Sequence, residues 1–211
     1  LANIRNYYAH DEITSLSGIL NGSTNYILTQ VVEKNLSYEE ALEEAKINGF
    51  AESDPSLDVQ GHDPAFKLSI LIKQAFGVYV SPDQIFKVGI NTISKTDIDF
   101  AKAYDLKIKL VAETRLVNNQ LTAWVTPKFV GENESFYLID NEYNMVQIES
   151  RAAGTQLLIG KGAGMLPTGL AVLSDLVTIT QHQTVGDKKF EHVSPETSDP
   201  LVDIYIGHKS D

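Results

Sequence analysis

The sequence predicts an α+β domain, a mixed and largely antiparallel sheet covered by helices on one face. Three observations carry that expectation. Capped helical patterns fill much of the first half, and two hairpin patterns follow between residues 106 and 160. A chain of 211 residues, 43% of them hydrophobic, can also bury a sizeable core. With no internal repeat or low-complexity linker, the expectation is one main domain over residues 1–180 and a polar tail over 181–211.

Each element has a local reason. "ITSLSGIL", residues 13–20, alternates well enough for a strand, and "NGSTN" then turns the chain. Residues 24–34 read as a helix with Tyr26, Ile27, Gln30 and Val31 along one side. Ser37 and Glu40 form a capping box that opens the next helix, which closes at Gly49. Ala41, Leu42, Ala45 and Ile47 supply its buried stripe. Asp63-Pro64 then predicts an N-cap with proline at the first helical position, and the helix runs to Gly77. It is apolar nearly all round after Lys67, so a central, buried helix is expected.

A short helix follows over 96–104. "LKIKLVAETRL" and "QLTAWVTPKFV" read as a hairpin turned at Asn118-Asn119. "NMVQIES" and "TQLLIG" form a second, turned at Ala152-Ala153-Gly154, before a glycine-rich turn and a last helix over 167–180.

Composition excludes several classes of function. A net charge of −11 argues against nucleic acid, which needs a basic face. The absence of cysteine removes disulfide and thiolate chemistry. No apolar run approaches the roughly 18 residues of a membrane span. "LANIRNYYAHDEITSLSG" has no signal-peptide core, so a cytoplasmic protein is expected. That opening reads as an element cut from a longer chain.

Three stretches carry candidate chemistry. In "NGFAESDPSLDVQGHDPAFKLSILIKQAFG", Glu52, Asp54, Asp58, Asp63 and Lys67 crowd into one short segment. Asp63 and Lys67 are i and i+4, on one helix face. An exposed pair of this kind contributes about 0.3–0.5 kcal/mol and nothing more. At the rim of a buried pocket, a lysine held by a carboxylate is an adaptable acid/base group. The acidic loop does not match the EF-hand calcium pattern, and an amine held by two carboxylates fits it better.

The second stretch, "GILNGSTNYIL", is either an ordinary helix-capping turn or an anion pole, with Gly22 allowing close approach and Ser23 offering a donor. The two poles together would suit a zwitterion, an amino acid. The third, "IGKGAGMLPTGLAVLSDL", sets Gly160, Gly162 and Gly164 before a helix and could bring N–H groups to a phosphate. The five histidines are scattered, with no metal-ligand spacing, so no metal site is expected.

In this order and spacing, the three stretches resemble homoserine dehydrogenase over about residues 10–180. That family interconverts L-homoserine and L-aspartate 4-semialdehyde with NAD(P), on the route to threonine, methionine and isoleucine. The resemblance implies a catalytic pair in Asp63 and Lys67. It implies substrate carboxylates in Glu52 and Asp58, and a substrate-side turn in Gly22 and Ser23, where many members have threonine for Ser23. It places Gly160, Gly162 and Gly164 in the segment that closes against the cofactor domain. Phe50 stands where members often have tyrosine, which removes a hydroxyl from that position. The resemblance also implies a homodimer formed through the sheet region.

One departure is large. The family begins with a Rossmann domain carrying a G-x-G-x-x-G turn, and nothing here matches it or the active-site lysine it contains. About 30 residues follow the last motif, too few for the regulatory ACT domain of some members. Two readings therefore stand: the substrate and dimerisation portion of a homoserine dehydrogenase, inactive without its nucleotide-binding domain and binding no cofactor tightly, or a non-enzymatic amino-acid-binding module derived from that family.

Overall fold

The computed structural model describes residues 2–180. The expected polar tail over 181–211 lies outside the described residues. The order of elements is α1 (Ala2–Tyr7), β1 (Ile13–Ile19), α2 (Gly22–Glu33), α3 (Tyr38–Ile47), α4 (Ser56–Val59), α5 (His62–Phe76), β2 (Phe86–Lys87), α6 (Lys95–Ala103), β3 (Lys107–Val117), β4 (Gln120–Val130), β5 (Tyr143–Ser150), β6 (Gly154–Lys161) and α7 (Met165–Thr180).

The strands form one six-stranded open sheet in the order β2-β4-β3-β1-β5-β6. Only the short β2 runs parallel to its neighbour, and every other pair is antiparallel. The fold is the expected mixed α+β class. Both hairpins form where the turn residues place them. Asn118 and Asn119 take positive φ values of 51° and 62°, which two-residue hairpin turns require. At the second hairpin, the Asp11 carboxylate accepts from the backbone N–H groups of Ala152 at 3.0 Å and Ala153 at 2.9 Å. β1, first in sequence, ends in the middle of the sheet between these two hairpins, and its C-terminal end carries the candidate site.

The main core lies between the sheet and α2, α3, α5 and α6, built on Ile27, Val31, Leu68, Ile72, Leu110 and Val125. The opposite face is covered only in part. There the segment 131–142 folds over Val111, Val130 and Met145, and contributes Phe136 and Ile139. That segment is fixed by a buried cation: Lys109, 1% exposed, donates to Asn25 Oδ1 at 3.1 Å and Asp140 Oδ1 at 2.9 Å, and also reaches the carbonyl of Ile139. Burial pushes the Lys109 ammonium below its ordinary range, against the pull of Asp140. Burial would raise the Asp140 carboxyl, but hydrogen bonds from Lys107 and Lys109 outweigh it and hold that group below the usual range.

Three expectations about helices need correction. The Ser37–Glu40 capping box and Gly49 at φ 75° bound α3 as expected, but Ile47 is 77% exposed and lies off the buried stripe. The N-cap of α5 is Gly61 in the left-handed region, so Asp63 and Pro64 occupy the second and third helical positions. Proline is still tolerated there, because N–H groups of the first turn lack intrahelical partners. α5 is also not buried all round, since Phe66 and Ile70 face outward, the latter 53% exposed. The enclosed helix is α2, where every residue from Thr24 to Val31 is buried.

Candidate active site

The site assembles where β1 hands over to α2. Asn21 caps α2 from extended backbone, its Oδ1 accepting from the Thr24 N–H at 2.8 Å. That leaves the carboxamide nitrogen free to serve other partners. It donates to Asp58 Oδ1 at 2.7 Å and to Asp63 Oδ2 at 2.8 Å. Lys67 completes the group: its ammonium donates to Asp63 Oδ2 at 2.7 Å and to the Leu20 carbonyl at 3.0 Å. Two carboxylates, one carboxamide and one ammonium therefore share a continuous network at the start of a buried helix.

Local chemistry explains why the acidic loop delivers Asp58 and Asp63 to one place. The single turn α4 carries Asp58, whose carbonyl accepts from the Gly61 N–H at 3.0 Å. Gly61, at φ 82°, then reverses the chain directly into α5, putting Asp63 in its first turn. Asp54 is used locally, accepting from the Ser56 backbone N–H at 3.1 Å. Glu52 is exposed and makes no hydrogen bond or ion pair with any described residue. Among the expected site residues, Asp58, Asp63 and Lys67 are brought together, and Glu52 is left without a protein partner.

Lys67 is 46% exposed along its side chain and Asp63 is 28% exposed, so the pair opens toward solvent. A cavity of about 410 Å³ lies elsewhere, against Ser17, Glu113, Arg115 and Glu149 on the far face of the sheet.

Gly22 and Ser23 open α2 beside this network. A Cβ at Gly22 would lie 2.8 Å from the Glu142 carbonyl, so only glycine lets β5's entry segment pass there. The glycine-rich turn reaches the same neighbourhood through Asn144. A Cβ at Gly162 would meet the Asn144 amide nitrogen at 2.0 Å, and the buried Asn144 Oδ1 has no hydrogen-bond partner among the described residues. An ion pair of 3.0 Å between Lys161 and Glu142 ties the turn to the same segment. Gly160 has open space where a side chain would be, and Gly164 takes φ 113° just before α7.

A family model described as homoserine dehydrogenase matches residues 1–177. The chain belongs to the homoserine dehydrogenase family. It is 38% identical over 198 residues to the homoserine dehydrogenase of Lactococcus lactis, covering 92% of this chain and 46% of that protein. The Bacillus subtilis homoserine dehydrogenase is 35% identical over 186 residues, with 88% of this chain and 43% of the relative covered. The solved homoserine dehydrogenase of Thiobacillus denitrificans superposes with a TM-score of 0.82 at 32% identity, over 94% of this chain and 47% of that one. For the Staphylococcus aureus homoserine dehydrogenase at pH 6.0 the TM-score is 0.78 at 35% identity, over 86% and 46%. The chain thus spans a little under half the length of the relatives it matches.

Sequence reasoning missed Asn21, which joins the network, and Asn144, which packs against Gly22 and Gly162 beside it. Asn21 lay inside a stretch read as either a helix-capping turn or an anion pole, and neither reading singled out its carboxamide. Nothing in the sequence announces Asn144, whose neighbours Gly22 and Gly162 are far from it along the chain. Phe50, in place of tyrosine, packs its ring 4.5 Å from that of Tyr26, whose hydroxyl donates to Glu44 at 3.0 Å.

Proposed function

We propose that this chain is the substrate-binding and catalytic portion of a homoserine dehydrogenase that interconverts L-homoserine and L-aspartate 4-semialdehyde with NAD(P). One observation carries the reading: in a member of this family, Asp58, Asp63 and Lys67 converge on one network at the N-terminus of α2. L-homoserine is a zwitterion with a terminal hydroxyl, and each part has a complementary group. Asp58 and the unpartnered Glu52 face the ammonium. The first N–H groups of α2, at Gly22 and Ser23, face the carboxylate. Lys67, held in place by Asp63 and the Leu20 carbonyl, moves the proton on the terminal oxygen as the carbonyl forms or is reduced.

A nicotinamide cofactor, when bound, accepts or returns the hydride at the neighbouring carbon. The described residues fit one part of that cofactor. Gly160 and Gly164 can bring backbone N–H groups to a phosphate at the start of α7, whereas Gly162 is already packed on Asn144. The turn joins a strand to a helix, as the sequence pattern implies, but β6 is an antiparallel strand at the sheet's edge. The Glu142 carboxylate, nearest in this region, is paired with Lys161 and not free for a ribose. A hyperthermophilic archaeal relative, 24% identical, has been solved with NADPH, and we assign the rest of this chain's dinucleotide contacts to residues outside it. We also propose a homodimer through the partly covered sheet face, where Leu157 and Ile159 remain exposed.

The test is the protein completed with a nucleotide-binding domain and assayed by nicotinamide absorbance with L-homoserine. Lys67→Met lowers kcat by about 10²–10⁴-fold, the usual contribution of a general acid/base. A variant with wild-type kcat would reduce Lys67 to a structural role and overturn the reading.

A further inference from the structure

We propose that Asn21 is a positioning residue, a clamp whose carboxamide sets the separation of Asp58 and Asp63 and, through Asp63, the reach of Lys67. The role rests on the reading of this site given above, and its basis is geometric. Asn21 is 4% exposed and lies between three elements: the end of β1, the α4 turn and the first turn of α5. Its Oδ1 is committed to the Thr24 N–H, so the orientation of the amide is fixed and both protons of the nitrogen point away from α2. Each of those protons has a different carboxylate, Asp58 at 2.7 Å and Asp63 at 2.8 Å.

Two carboxylates converging on one point repel unless a donor stands between them. The lysine does not fill that place. Its ammonium bonds the same Asp63 Oδ2 that Asn21 holds and the Leu20 carbonyl, and no hydrogen bond joins it to Asp58. Asn21 is therefore the group that links the proposed ammonium-binding carboxylate to the proposed proton-transfer pair. It does so without carrying charge, so the site keeps its negative balance for a cationic ligand.

Capping and clamping make opposite demands, which separates them experimentally. Serine and aspartate cap helices about as well as asparagine. Neither carries two N–H donors, and aspartate adds a third carboxylate beside the other two. In the 211-residue chain, thermal denaturation of Asn21→Ser and Asn21→Asp forms one arm. With the clamp, Asn21→Asp melts about 5 °C or more below Asn21→Ser at neutral pH, and the gap closes in an Asp58→Asn/Asp63→Asn background. Equal melting temperatures for the two variants in both backgrounds would overturn the clamp.

The second arm is kinetic, in the protein completed with its nucleotide-binding domain. Asn21→Ser loses about 10²-fold in kcat, the cost of slightly misplaced groups, and its KM for L-homoserine rises several-fold. A residue that only stabilised the fold would lower the active fraction and leave KM unchanged, and that result would overturn the positioning role. If the denaturation cycle holds but the wild-type completed protein turns over no L-homoserine, the clamp is supported and the reaction assigned to the site is wrong.

Discussion

α5 and α7 are apolar helices of nearly equal length, 15 and 16 residues, that meet opposite environments. α5 buries Leu68, Ile72, Ala75 and Phe76 against the sheet. Among the described residues α7 buries none of its own, although Leu166, Leu170, Leu173 and Leu176 repeat along it. The contrast divides the molecule by task. The region around α2 and α5 is closed by its own chain, and there the proposed substrate groups are locked into a hydrogen-bonded network. The β6–α7 region leaves its apolar side chains uncovered and offers a cofactor only a glycine turn.

Truncation on the two helices should break this symmetry most strongly. Ile72→Ala, at a fully buried position, should cost about 2–5 kcal/mol in chemical denaturation of the 211-residue chain. Leu173→Ala, at a residue 57% exposed, should change stability by no more than about 0.5 kcal/mol. Equal losses would mean that α7 finds a cover within this chain.

Lys109→Ala tests the closed region from the far side of the sheet. It takes the donor from Asn25 Oδ1 and leaves Asp140 with Lys107 and the Ile139 carbonyl with Asn25 alone, so the cost should approach about 3 kcal/mol, the lower end for broken buried pairs. Hydrogen exchange should speed up in the segment 131–142 ahead of global unfolding. If that segment keeps its protection, the packing of Phe136 and Ile139 with the bonds from Asn25 and Lys107 holds it without Lys109.

Glu52→Gln in the completed protein probes the open edge of the substrate network. Glu52 has no partner to lose among the described residues, so its charge should matter to a ligand, and the KM for L-homoserine should rise while that for the nicotinamide cofactor stays put. The reverse pattern would move Glu52 out of the substrate site.

The smallest effect concerns Asp11, which ties β1's entry to the β5–β6 turn. The Ser150 hydroxyl and the N–H groups of Ala152, Ala153 and Glu12 hold its carboxyl down at about 2. A depressed carboxyl stabilises the folded chain fully above its ordinary value near 4, and that contribution fades as pH falls toward 2. The melting temperature should therefore drop less steeply between pH 4 and 2 in Asp11→Asn than in the wild type. Parallel slopes would show that other carboxylates control acid unfolding.

Local signals carried much of this fold. The α3 capping box and the β3–β4 hairpin with its Asn118-Asn119 turn depend on residues within a few positions of each other, and each formed as read. Environment was less legible. Periodicity marked Ile47, Phe66 and Ile70 as apolar, but whether a neighbour covers them depends on packing between distant elements. The one-turn α4 and the two-residue β2 are too short to show a period. Of the site, Asp58, Asp63 and Lys67 were visible because they share one segment. Asn21 was not, because its partners lie 37 and 42 residues away, beyond the reach of any local capping rule.

The claim that this chain carries the substrate half of the site without the cofactor half is tested most directly by titrating the purified 211-residue protein, observed by NMR. L-homoserine should perturb the amides of residues 21–24 and 58–67, and Asp58→Asn/Asp63→Asn should abolish the change, while NADPH at the same concentration perturbs at most residues 160–165. Strong NADPH binding across the domain, or no response to L-homoserine at millimolar concentrations, would contradict the account.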